Sequence, residues 1–130
     1  MPGWVGDIEQ ETLTNETFRT VVFTGEHTQL TVMSIEPGDD IGGEVHTGHD
    51  QFLRIEGGTA VVQMGPARDD LGFERSVSHD DAVFVPAGSW HNLTNTGDVP
   101  LKLYSVYAPP QHPHGTVHLT KAEADAAEHA

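Results

Sequence analysis

Glu44-Val-His46 with Gln51, and Pro86-Ala-Gly88-Ser-Trp-His91, decide how this chain is read. Each stretch offers nitrogen or oxygen donors on a strand or at a strand end, and about forty residues separate them. Glu44 and His46 are two apart, so on a strand both side chains point to one face. A turn at Thr47-Gly48 leads to Gln51 on the next strand, where Gln51, Leu53 and Ile55 share a side. Two of those three are apolar, so that side faces the interior. Pro86 and Gly88 fix a tight turn that opens the strand of His91. A carboxylate, two imidazoles and an amide oxygen suit a borderline or hard divalent ion, and neither stretch holds one alone. The expected ligands are Glu44, His46, Gln51 and His91 around one divalent transition metal ion, with iron, zinc, manganese, nickel and copper all open.

Outward from these stretches the dominant period is two. Phe18 to Thr24 and Gln29 to Ile35 are β-rich runs joined through Gly25-Glu-His-Thr28, a hairpin connection. Gln51 to Ile55 and Thr59 to Met64 are expected to form a second hairpin at Gly57-Gly58. Phe73 to Val77, Ala82 to Val85, Trp90 to Thr94 and Leu101 to Ala108 bring the total to about eight or nine short strands, which indicates an all-β sandwich or barrel. Pro109-Pro110 ends the last of them, and the stretch to Leu119 reads as irregular and histidine-rich. Thr120-Lys-Ala-Glu123 is a capping-box pattern that introduces a short helix from Lys121 to about Glu128. The expected organisation is an N-terminal arm over 1–17, a barrel over 18–110 and a C-terminal extension over 111–130.

A chain of 130 residues is long enough to bury one core. No cysteine is present, which excludes disulfides, thiolate zinc sites and cysteine nucleophiles. The net charge is −14 with only six Lys and Arg, so nucleic acid and anionic membrane are expected not to be partners. Arg19, Arg54, Arg68, Arg75, Lys102 and Lys121 are widely spaced, which counts against a phosphorylated substrate. No apolar run reaches membrane-span length, and Met1 to Asp7 lacks a secretory pattern, so a cytoplasmic location is expected.

Gly38, five residues, Glu44-Val-His46, four residues, Gln51, six residues and Gly58 fit a first spacing, written G-x5-H-x-H-x(3,4)-E-x6-G in the cupin superfamily. Asp80, five residues, Pro86-Ala-Gly88, two residues, His91, three residues and Asn95 fit that superfamily's second, G-x5-P-x-G-x2-H-x3-N. Glu44, Gln51 and Asp80 depart from its histidine, glutamate and glycine. The chain resembles a small single-domain cupin of the RmlC-like superfamily. Val85-Pro-Ala-Gly88, Trp90-His-Asn92, Asn95-Thr-Gly97 and Tyr107-Ala-Pro-Pro110 are similar to small bacterial cupins often labelled mannose-6-phosphate isomerase-like. This resemblance implies a double-stranded β-helix (cupin jelly-roll) barrel, a metal at the motif positions and often a homodimer.

Competing assignments are weighed residue by residue. Asp50 fits the shorter motif spacing, but parity pairs it with Phe52 and Arg54, away from the interior, so Gln51 is preferred. His49 reads as a loop histidine, His112, His114 and His118 as tail residues that form a lid or second metal site less often than they sit in solvent, and Trp90 as packing. Tyr104 and Tyr107 have phenols to offer a ligand, although barrel and dimer cores use tyrosine freely. Arg54 and Glu56 read as outward charges.

The first functional expectation is metal-dependent, isomerase-like proton transfer on a small sugar-like or hydroxy-carbonyl substrate, with His49 or Glu44 as nominated base and no catalytic residue assigned. The second is a non-haem iron dioxygenase, which uses two histidines and a carboxylate. The third is a non-catalytic, metal-stabilised binding module.

Overall fold

Nine strands form among the described residues of this computed structural model, which are 2–128. Met1 and residues 129–130, the outer ends of the expected arm and extension, lie outside them. The strands are β1 (Arg19–Thr24), β2 (Gln29–Ile35), β3 (Asp50–Gly57), β4 (Thr59–Gly65), β5 (Phe73–Ser78), β6 (Ala82–Val85), β7 (Trp90–Asn95), β8 (Leu101–Ala108) and β9 (Val117–His118). Helix α1 (Ile8–Thr14) precedes them and α2 (Lys121–Glu128) follows. One antiparallel sheet runs β6-β3-β8-β2-β1-β9 and the other β5-β4-β7. Met33, Ile35, Ile55 and Leu103 of the first share a core with Val62, Val77 and Leu93 of the second, so the sheets close on each other as a double-stranded β-helix.

Register sorts that interior into layers. Gln29 and Gln51 both stand opposite Tyr107, Thr31 and Leu53 opposite Ser105, Met33 and Ile55 opposite Leu103, and Ile35 opposite Leu101. All of these are buried. The barrel interior is therefore polar at one end and apolar at the other. Apolar burial at the closed end holds the shell together, whereas buried polar groups at the open end need partners.

Several expectations are corrected. Gly57-Gly58 is not a hairpin turn: β3 pairs with β6 and β8, β4 with β5 and β7, and the chain changes sheet there. Gly58 has φ +90°, and a Cβ on it would meet Leu101 Cα and the Pro100 carbonyl at 3.2 Å, so glycine is required twice over. Residues expected as an aperiodic arm include α1, capped by Asp7, whose carboxylate accepts from the Gln10 N–H at 3.1 Å. Only Thr12 of that helix is buried, which is why no periodic stripe marks it. The stretch expected as irregular contributes β9, where Val117 and His118 pair with Thr20 and Arg19. Glu56, expected as an outward charge, is buried rather than exposed, beside a bulge between Ile55 and Gly57, and it is ion-paired with Arg54 at 3.1 Å.

The C-terminal capping box forms as expected. The Glu123 N–H donates to Thr120 Oγ1 at 3.2 Å and the Glu123 carboxylate accepts from the Leu119 N–H at 2.9 Å. Asp80, standing where the motif has glycine, has φ +74°, a left-handed turn conformation that its short polar side chain tolerates.

Candidate metal centre

Backbone hydrogen bonds, not side chains, bring the two motif stretches together. The Glu44 N–H donates to the His91 carbonyl at 3.0 Å and the His91 N–H to the Glu44 carbonyl at 2.9 Å. One turn further on, the Gly88 N–H donates to the His46 carbonyl at 2.9 Å. Asp50 accepts from the Ala87 N–H at 2.9 Å and is thereby committed to the turn, outside the interior. The Glu44–His46 stretch is not a strand, as the two-residue spacing suggested; Glu44 makes a single bridge to His91. His91 lies on β7, as expected.

Glu44, His46 and His91 form a cluster able to hold a metal ion, one donor atom from each lying within 4.8 Å of the others. Glu44 Oε1 is 3.5 Å from His46 Nε2 and 3.4 Å from His91 Nε2. Two donors about 2.1 Å from one ion stand about 3.0 Å apart at a right angle and about 3.4 Å at the tetrahedral angle. The observed separations suit either. His91 is 2% exposed, and its Nδ1–H donates to the Ser89 carbonyl at 3.2 Å. That bond keeps Nδ1 as the protonated nitrogen, so Nε2, facing Glu44, is the nitrogen a metal would take. Burial pushes the Glu44 carboxyl up, but the two facing imidazoles outweigh it and hold it at about 2.

At this end of the barrel His46 Nε2, His91 Nε2 and Gln51 Oε1 are buried without a hydrogen-bond partner, the two nitrogens facing only the Glu44 carboxylate, and Thr31 Oγ1 and His112 Nε2 are buried unpartnered as well. Orphaned buried polar atoms are rare and costly, and the two imidazole nitrogens and the amide oxygen fit the donor set of a cation site. Gln51 is 2% exposed on the inward side of β3, as parity required, and its Nε2 donates to Ser105 Oγ at 2.9 Å. The Tyr107 ring packs edge-on to His46 at 5.8 Å between centroids.

A cavity of about 750 Å³ opens on this cluster, lined by Glu44, His46, Arg68, Trp90, Gln111 and Lys121 among others. Trp90 is not simply packing, since Arg68 lies over its ring at 5.0 Å. Two of the six widely spaced cations thus meet at one cavity. Lys121 is committed: its ammonium lies 2.5 Å from Asp40 and 3.4 Å from Asp39, which ties α2 to the loop ahead of the cluster.

Burial would raise the Asp40 carboxyl, yet Lys121, Asn92 and the Gly42 N–H outweigh it and hold it below its usual range. Lys121 is raised despite burial by Asp40 and Asp39. A lowered carboxyl contributes stability above its unfolded value, near 3.9, that is lost as pH falls through the folded value; a raised amine contributes below about 10.4 and loses it above. Lys121→Ala should therefore cost up to about 1 kcal/mol between roughly pH 5 and 10. The gap to wild type should close below about pH 4 in urea titrations.

The remaining histidines divide. His49 is not a free loop residue, because its Nε2–H donates to the Pro110 carbonyl at 3.0 Å. His112 packs edge-on to Tyr107 at 5.2 Å, and burial, aided by Arg19, pushes its imidazole down to about 3. His114 is exposed, and the described residues hold no three-donor cluster including His112, His114 or His118. Tyr104 lies beside Phe52 on the outer side of the sheet rather than at the cluster. One contributor escaped sequence reading. Gln29 accepts at Oε1 from the N–H groups of Gln111 and His112 and donates to the His112 carbonyl at 2.7 Å, pinning the C-terminal segment across the polar end. The polar residues Gln29, Thr31 and Ser105 at inward parity were the available signal.

Comparison with known proteins agrees with this fold. The cupin domain family profile matches residues 31–107. The chain is 58% identical over 125 residues to the Bacillus subtilis protein YrkC, covering 96% of this chain and 67% of that one. It is 35% identical to protein L612 of Acanthamoeba polyphaga mimivirus over 93% of this chain and 74% of the other. The crystal structure of BH2720 from Bacillus halodurans superposes with a TM-score of 0.94 at 58% identity, covering 95% of this chain and 93% of that one. The chain belongs to the cupin family.

Proposed function

We propose that this cupin holds one divalent transition metal ion on Glu44, His46, His91 and Gln51, and serves as a metal-dependent, isomerase-like enzyme on a small hydroxy-carbonyl substrate. The observation that carries the reading is the set of three buried donors beside the Glu44 carboxylate, with Glu44 and His46 lining a cavity. When bound, such an ion polarises a substrate carbonyl and stabilises the charge of an enolate. Ser105 engages Gln51 through the amide nitrogen and so leaves the oxygen as the fourth donor. The Tyr107 ring and the C-terminal segment pinned by Gln29 wall this end of the barrel and restrict water.

Incubation of the metal-loaded protein in D2O with a panel of hydroxy-aldehydes and hydroxy-ketones tests the chemistry. Deuterium uptake at the carbon beside the carbonyl is expected, and its absence across the panel would count against proton transfer. The two-histidine, one-carboxylate set favours a second reading, an iron-dependent oxygenase. Dioxygen consumption by the iron-loaded protein, absent under nitrogen, would select it.

Gln51→Glu should tighten metal binding by about tenfold or more, because an anionic oxygen replaces a neutral one. Competition against a chelator of known affinity measures this. Weaker binding in that variant would place Gln51 outside the ligand set.

A further inference from the structure

The acidic balance of the chain makes each cation's partner informative, since six Lys and Arg face 20 Asp and Glu. Arg19 meets His118 Nδ1 at 3.3 Å, and Arg54 pairs with Glu56 and Asp80. Arg75 donates to the Glu74 carbonyl, Lys102 to the Asn15 carbonyl, and Lys121 to Asp39 and Asp40. Arg68 differs. Among the described residues its only polar or ring contact is the face of Trp90, and no carboxylate or carbonyl engages its guanidinium. It is exposed in the loop between β4 and β5, and it lines the same cavity as Glu44 and His46. Its stem runs beside Gly43: a Cβ built there would lie 4.0 Å from Arg68 Cγ, one residue before the Glu44 ligand. Trp90 is likewise one residue before His91.

Stacking on an indole fixes the plane of a guanidinium while leaving its N–H edges open, the arrangement that suits two parallel bonds to a carboxylate. We infer that Arg68 is the anion-recognition residue of this cavity, and that the ligand is a small carboxylate whose hydroxyl or carbonyl reaches the metal. The inference rests on the metal reading above and names the substrate class of the same site. A phosphate ester fits less well. Lys121 is already neutralised by two aspartates, and Glu44 and Asp125 line the same walls, so one guanidinium would face a dianion alone. A monoanionic carboxylate matches one guanidinium in charge and in shape.

The test uses zinc-loaded protein titrated calorimetrically with 3-hydroxybutyrate, malate and gluconate, each against its neutral amide. Wild type should bind at least one acid about tenfold or more tighter than its amide. Arg68→Ala should lose that preference by weakening the acid alone, while its zinc stoichiometry stays at the wild-type value, and Arg68→Lys should recover part of the preference. Equal acid binding by wild type and Arg68→Ala overturns the inference, as does wild type that fails to distinguish acids from amides or binds none of the three. Failure of wild type to take up zinc would bring down the metal reading and this inference together. Zinc uptake without an acid preference brings down this inference alone.

Discussion

His91→Ala is expected to abolish stoichiometric metal binding and to make the protein's thermal stability indifferent to chelators. The His91 imidazole is 2% exposed and held by Ser89 with Nε2 facing Glu44, and its removal leaves the cluster with two of its three donors. Loss of an outer partner of a ligand costs about 10–100-fold in affinity, and loss of the ligand itself costs more. A metal present at 100 times its Kd adds about 2.7 kcal/mol to the native state, roughly 10 °C in Tm for a domain of this size. Wild type should lose that increment on treatment with EDTA and regain it on reloading. The variant should melt at one temperature under both conditions. Because each protein is compared with itself, the cavity left by the missing ring does not enter the comparison. A chelator-sensitive Tm in His91→Ala would remove His91 from the ligand set.

Asn95→Ala should unfold the barrel far more readily, by about 3 kcal/mol in urea titrations. The side chain is 1% exposed and works as a three-way clamp. Its amide donates to the Ile35 carbonyl at 2.9 Å and the Val99 carbonyl at 2.8 Å, and its oxygen accepts from the Gly97 N–H at 2.9 Å. Alanine strands two carbonyls and an N–H near the end of β7, each costing about 1–3 kcal/mol if left dry. Asn95→Asp should be no better, since an ionised carboxylate cannot donate to the two carbonyls. A loss below about 1 kcal/mol in both variants would show that water replaces the clamp.

The parts of this molecule that could be read in advance are those governed by local period and spacing. β2, β6 and β8 span the runs expected of them from the sequence, and inward parity placed Gln51 with Leu53 and Ile55 and put Asp50 outside. The two motif spacings located all three members of the cluster without any knowledge of how the strands pair. What stayed hidden depends on distant partners. Gly57-Gly58 is equally good chemistry for a hairpin or for a change of sheet, and the choice lies with β8, which β3 pairs instead of β4. Helix α1 buries one residue and so leaves no stripe. Glu44 and His46 share a side without forming a strand, because a backbone bridge to His91 does the work that a ladder would do. Arg68 lies in a long loop whose sequence carries no period; only the fold reveals that it stacks on Trp90 and reaches the cavity. The polar inward row of Gln29, Thr31 and Ser105 was open to reading. Hydrophilic residues at inward parity over successive layers announce the open end of a barrel.

Anomalous diffraction from crystals of the protein loaded with zinc would test most directly whether one cation joins the two stretches. A single peak about 2.0–2.2 Å from Glu44 Oε1, His46 Nε2 and His91 Nε2 is predicted. A peak elsewhere, or none at saturating zinc, would contradict it.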